Sequence, residues 1–373
     1  MPEHPPPRAR RRLIALAAGL TATLTVAAGA AGPAVAHTSE PIKVVADGLN
    51  GPRQLSTGFG RLVVAESDAG LITAVDPRTG KTKVLVRDLF APQGVAEVGG
   101  RLYIATGEAA PDTEPSGAPS SGLMVAKPGG KARLFADLTA YELAHNPDGQ
   151  IQFGPDGKPL DALSNPYFVL RDRGRGRHGF LLVADAGANT VLKVDRRGTV
   201  KNFFTPPTVT TGACATAPNN TTSGVGCDAV PTGLAYGPDG LLYVSALTAE
   251  MPGEGRVYVV NHKGRIVKVI KGFTSPTGVT VDRWGTVYVS ELLEGAPPPD
   301  TEPPPGFDPS EVGQIVRVPR WGQRTYAQVT MPSGLLTYRG TLWSSAWAIA
   351  SFLGMPDAGQ VVTVDRKAFE PAP

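Results

Sequence analysis

Three acidic residues close apolar runs of similar register: Glu66 in LVVAE, Asp185 in LLVAD and Glu291 in VYVSE. Glu108 ends a fourth run, LYIATGE, and Glu142 lies beside His145 in the polar stretch YELAHN. Should these five carboxylates converge, they would offer hard oxygen ligands to Ca2+ or another divalent cation. A cation held there could polarise a lactone, sugar or phenolic substrate for hydrolysis or elimination. The competing reading is local. A carboxylate at a strand end accepts backbone N–H groups and fixes the turn that follows. The segment ADAGANTVLKVD (184–195) is written that way, with Asp185 and Asn189 around Gly187, and the local reading is preferred for the set.

A second set of side chains sits beside six prolines. The phrases GPRQL, APQGV, NPYFV, VPTGL, SPTGV and MPSGL put Arg53, Gln93, Tyr167, Thr232, Thr277 and Ser333 directly after a proline. These are polar and include no carboxylate, so they suit ligand recognition better than cation binding, with Asn146 and Asn165 as the nearest amides. Trp343 and Trp347 in LWSSAW would add aromatic walls. The histidines, at 4, 37, 145, 178 and 262, are scattered and form no HExxH. His145 is read as a hydrogen-bonding loop residue partnered by Glu142 or Asn146. Neither a GxSxG elbow nor a phosphate-cradling motif occurs. Cys214 and Cys227 bracket the loop CATAPNNTTSGVGC, and an exported chain would pair them as a staple.

The six proline phrases also identify the elements that must position these groups. Each opens a short apolar strand. A second follows after a tight turn (LVVAES, LYIATGE, LLVADAG, LYVSAL, VYVSEL, LWSSAW), and a third after a loop of variable length. Fourth strands follow in five copies only. The missing one matches IKVVADGL (42–49), at the other end of the repeat array. A linear solenoid would need capping repeats, and a sandwich would not repeat one phrase six times. The expectation is all-β: a six-bladed β-propeller whose N-terminal strand completes the last blade.

The expected organisation is a signal peptide over 1–36, a short leader over 37–41, one propeller over 42–370 and a tail over 371–373. The repeats start near 52, 92, 166, 231, 276 and 332. The first segment has an Arg-rich start (Arg8, Arg10, Arg11, Arg12), an Ala-rich apolar stretch and a small-x-small site at Ala34–Ala36. Its removal takes four of the 36 Lys and Arg and one of the 33 Asp and Glu, so formal charge falls from +3 to about zero. Net charge therefore argues for neither nucleic acid nor stable membrane insertion. A secreted monomer is expected. The long pieces 107–121, 246–254, 291–312 and 346–358 interrupt second-to-third strand connections, so they should surround one mouth of the ring, joined by 139–163.

In repeat phrase the chain resembles the NHL-type and gluconolactonase-type propellers. More narrowly, YELAHNPDG (141–149), SNPYFVL (164–170), VADAGANTVLKVDRRGTV (183–200) and AVPTGLAYGPDGLLYVSAL (229–247), in that order, resemble the secreted ScyD/ScyE family over roughly 42–365. The resemblance implies an exported propeller and supplies no catalytic residues. The function expected is a binding or scaffolding protein engaging a small molecule, glycan or peptide at its mouth. The alternative is a hydrolase or lyase using a carboxylate-bound cation.

Overall fold

The structure is a computed structural model that describes residues 40–108, 120–173, 181–298 and 301–372. The expected signal peptide, most of the 107–121 insertion and most of the basic turn RDRGRGRHG lie outside the described residues.

The strands form six four-stranded antiparallel sheets. Five are built from consecutive strands: blade one over 52–86, two over 92–137, three over 166–204, four over 231–273 and five over 276–328. Blade six takes three strands from 335–364, and Ile42–Leu49 as its outermost. That strand pairs with Gly359–Val364 from Ile42↔Val364 to Leu49↔Gly359. The N-terminal strand thus closes the ring, as the repeat count requires.

Burial follows from this stacking. Second strands such as Leu181–Asp185 and Leu242–Ala246 are buried on both faces, which explains their unbroken apolar runs. Outer strands such as Val200–Phe204 are more exposed, with only the last residue buried. Six clusters of buried apolar side chains lie between successive blades, the last joining Trp343 and Val361 of blade six to Leu55, Leu62 and Val64 of blade one.

The repeated Pro-x-Gly phrase has a steric cause. In blades one to five the register slips by one residue after the proline, as in Pro276↔Glu291 followed by Gly278↔Ser290. This presses the innermost strands together around the axis. A Cβ on Gly94 would stand 2.8 Å from the Tyr167 carbonyl of the next blade, and one on Gly278 would fall on the Ser333 carbonyl. The glycine is required for close approach of backbones.

Antiparallel order divides the ring into two faces. Connections between second and third strands, and between blades, lie on the mouth side, while the tight turns joining strands one–two and three–four lie on the opposite side. On the mouth side, helix α1 (Leu138–His145) caps blade three. Asp137 Oδ1 accepts from the Ala140 N–H at 2.8 Å at its start, and Asn146 in the left-handed region ends it. The segment after α1 locks onto the 205–229 insertion through Ile151 N–H to the Asn220 carbonyl and Gln150 to Asp228. The Cys214–Cys227 disulfide staples that insertion. Among the described residues no helix is long and apolar enough to cross a membrane.

Candidate ligand-binding mouth

The six residues that follow the prolines divide into two groups. Thr232 and Thr277, each 2% exposed, donate to carbonyls of the next blade: Thr232 Oγ1 to Pro276 at 2.8 Å and Thr277 Oγ1 to Pro332 at 3.2 Å. Ser333 is fully buried and meets the Tyr167 hydroxyl at 3.0 Å. The expectation that all six face a ligand is corrected for these three. For Thr232 and Thr277 the bulge after the proline turns the hydroxyl toward the neighbouring blade, which it ties down, while the Ser333 hydroxyl is taken up by Tyr167.

Arg53, Gln93 and Tyr167 remain at the mouth. Arg53 Nη2 pairs with Asp68 Oδ1 at 3.2 Å, and its guanidinium lies 5.8 Å from the centre of the Phe352 ring. Arg53 Nη1 is buried with no hydrogen-bond partner among the described residues. Gln93 Nε2 donates to Ser67 Oγ at 3.1 Å, and its Oε1 is likewise buried and unpartnered. Burial pushes the Tyr167 phenol above its ordinary range despite the opposing pull of Arg53 and the Ser333 hydrogen bond.

Tyr167 and Ser333 belong to blades three and six, so their contact crosses the axis. A second crossbar comes from Gln54, which stands where four other copies have glycine. Its Nε2 donates to the Thr277 carbonyl at 3.0 Å and the Thr232 carbonyl at 3.4 Å, on blades five and four. Gln54 was not among the sequence-derived candidates. The available signal was the break in the Pro-x-Gly phrase at GPRQL.

Beside the mouth, the inserted loops after the second strands of blades five and six form a small apolar cleft. Leu293, Phe307, Val312, Met331, Phe352 and Leu353 contribute to its walls, and Glu250 enters from blade four. Its inner end meets the Arg53–Asp68 pair through Phe352, and Ser351 donates to Asp68. Asp68 and Glu250 both act to raise the Tyr167 phenol, which places the cleft and the mouth in one electrostatic neighbourhood.

The tryptophans behave differently from expectation. Trp343 is buried in the cluster between blades six and one, its Nε1 3.4 Å from the Tyr338 carbonyl, so it forms no mouth wall. Its mid-strand position faces the neighbouring blade. Trp347 packs beneath the cleft with Val312 and Met331.

The five carboxylates do not assemble. Glu66 accepts from the Asn50 N–H at 3.0 Å and from the Thr73 hydroxyl. Asp185 accepts from Ser164 Oγ at 2.6 Å and the Asn165 N–H at 2.7 Å. Glu291 accepts from the Thr274 N–H at 2.8 Å and Gln314 Nε2 at 2.5 Å. Each latches the end of a second strand to the residues leading into its own blade's first strand. The Glu108 backbone N–H donates to Asn165 Oδ1 at 3.2 Å. Glu142, on α1, accepts from Gln152 Nε2 at 2.9 Å. Among the described residues no three His, Cys, Asp or Glu side chains group as a metal site requires. Burial pushes Glu142 up to about 8, Glu291 up to about 7 and Asp185 above its ordinary range. Carboxylates spread over several blades, with Glu66, Glu142, Asp185 and Glu291 each engaged by its own local donors, do not fit a hard cation. His145 is exposed. Its Nδ1 lies 3.0 Å from the Tyr141 carbonyl and its ring stacks on Tyr141 at 4.3 Å, so its partner is Tyr141 rather than Glu142 or Asn146.

No family model and no curated protein sequence matches the chain. Solved structures do. Regucalcin from Agrobacterium tumefaciens, a calcium-binding protein, is 12% identical with a TM-score of 0.50, covering 88% of this chain and 95% of its own. A gluconolactonase from Xanthomonas campestris is 13% identical with a TM-score of 0.50, covering 87% and 89%. A protein from Thermus thermophilus, described as an oxidoreductase (glucose dehydrogenase), is 15% identical with a TM-score of 0.52, covering 86% and 98%. The chain shares their six-bladed propeller fold.

Proposed function

We propose that this chain is an exported binding propeller of the ScyD/ScyE type, which holds a small molecule with an apolar body and an oxygen acceptor at one end. The observation that carries this reading is the apolar cleft walled in part by Phe352, whose ring lies 5.8 Å from the guanidinium of Arg53, together with Arg53 Nη1, which is buried without a partner among the described residues. A buried donor left unmade costs about 1–3 kcal/mol, more when charged, so a ligand oxygen that satisfies it gains specificity as well as affinity. The disulfide supports an oxidising, extracellular setting. A hydrolase or lyase reading has the shared fold in its favour, and fold alone does not carry an activity. Of its carboxylates, Glu66, Asp185 and Glu291 are occupied as strand latches.

The probe is 1-anilinonaphthalene-8-sulfonate, which joins an apolar ring system to a sulfonate that offers oxygen acceptors to a guanidinium. Saturable one-to-one fluorescence enhancement by the folded protein is expected. Arg53→Met should weaken it by at least about tenfold, and Leu293→Asp should abolish it. Equal binding by wild type and both variants, each with an unchanged circular dichroism spectrum, would overturn the proposal.

A further inference from the structure

We propose that the face opposite the mouth docks the protein peripherally onto an anionic phospholipid surface. Near-zero net charge conceals a segregation by face. The turns after the third strands read DPRTGK (76–81), KPGGK (127–131), DRRGT (195–199), NHKGR (261–265), PRWG (319–322) and DRK (365–367), one per blade. Every one carries an exposed Lys or Arg. The acids in these turns are engaged by the backbone of their own turns. Asp76 accepts from the Arg78 and Thr79 N–H groups, Asp195 from those of Arg197 and Thr199, and Asp365 from that of Lys367. The carboxylates hold the turns while the cations project. On the mouth side the balance reverses: the connections carry Asp68, Asp148, Asp228, Glu250, Glu254 and Glu294, and the cations Arg53 and Arg256 are paired there with Asp68 and Glu254.

Two tryptophans stand on the cationic face, at the tips of the two turns of blade five. Trp321 is 83% exposed and Trp284 58% exposed. Arg320 and Arg283 lie over their rings at 5.7 Å and 4.1 Å. Exposing two such rings to water is unfavourable, and nothing in the turns requires them: Asp282 already fixes its turn through the Trp284 and Thr286 N–H groups. Tryptophan beside cations is the composition of an interfacial anchor. The ring enters the headgroup boundary with its N–H still solvated, and each nearby cation adds about fivefold in affinity for an anionic surface. The geometry favours a bilayer over a soluble polyanion. The rings protrude from turn tips, and the six cationic turns ring one end of the propeller, matching a planar partner.

The test uses the chain from His37 onward, which keeps all six blades and lacks the apolar N-terminal stretch. Co-sedimentation with equimolar phosphatidylglycerol–phosphatidylcholine vesicles should occur, fail with phosphatidylcholine alone, and disappear in ~1 M salt, where the Debye length is about 3 Å. Lys263→Ala with Arg265→Ala should weaken binding roughly fivefold per cation removed. Bilayer-borne brominated lipid should quench wild-type tryptophan fluorescence, because Trp284 and Trp321 are exposed whereas Trp343 and Trp347 pack in the interior. Trp284→Ala with Trp321→Ala should remove the quenching. The proposal fails if the vesicles are not bound, or if the alanine variants bind them as wild type does. It also fails if soluble polyphosphate is bound while the vesicles leave the tryptophans unquenched.

Discussion

Replacing Glu291 by Gln tests whether the strand-end acids are latches or ligands. The Glu291 carboxyl is pushed from its ordinary 4.5 up to about 7, chiefly by burial, against the opposing effect of its Gln314 and Thr274 hydrogen bonds. Between those values the folded chain holds a proton that the unfolded chain has released. Stability is therefore greatest below about pH 4.5, falls as pH rises through the window, and levels off above about 7. The slope is about 1.4 kcal/mol per pH unit, so the whole window is worth about 3 kcal/mol. Glutamine mimics the protonated acid and does not titrate. Glu291→Gln should match wild type near pH 4 and exceed its stability by up to about 3 kcal/mol at pH 8. Glu142, pushed up to about 8, contributes a separate decline that the variant retains. Urea unfolding at a series of pH values, with and without added Ca2+, measures all of this. If Glu291 were a cation ligand it would be ionised when folded. Ca2+ would then stabilise wild type, and the variant would lose that gain and be the weaker protein at pH 8. That result, or an unchanged pH slope in the variant, would refute the latch.

Gly278→Ala should cost about 2–3 kcal/mol in urea unfolding, because its Cβ meets a backbone carbonyl that cannot move aside. Gly240→Ala, in open space but at φ +76°, should cost only about 1 kcal/mol, which separates close packing from backbone strain. Cys214→Ser with Cys227→Ser should lower stability by about 3 kcal/mol, the loop-closure term for a staple of this span. An unchanged urea midpoint would show that the 205–229 insertion opens independently of the blades.

The ring was legible because the repeat is written into the chain. Six prolines opening apolar runs, and five fourth strands for six copies, required a closing partner, and IKVVADGL was the segment that matched. The positions of the inserted loops were legible for the same reason, since antiparallel order assigns each connection to a face. Side-chain direction was less so. The bulge after the prolines of blades four and five breaks the alternation from which inward and outward are ordinarily read, and so Thr232 and Thr277 passed for mouth residues, while Ser333 is covered by Tyr167 from a blade distant in sequence. Trp343 was misplaced because a second strand is buried on both faces, so position along it does not separate core from mouth. The cleft drew its walls from two insertions far apart in sequence, and no single phrase announced it.

Departures from the repeat, rather than the repeat, set what the two faces can do. Two residues after the proline, four copies keep glycine for close packing, blade three has Phe168 between blades, and blade one has Gln54 in the lumen. Gln54 and the Tyr167–Ser333 contact bar the axis at two levels, so a ligand bound beside Arg53 has no route through the ring. The apolar cleft on one face and the cationic, tryptophan-tipped turns on the other are then chemically separate surfaces joined by a rigid core. Their binding energies should add without coupling. Arg53→Met should leave vesicle binding as it was, and Lys263→Ala with Arg265→Ala should leave dye binding as it was. A change in either cross-measurement would mean that the crossbars transmit between faces they are here argued to isolate.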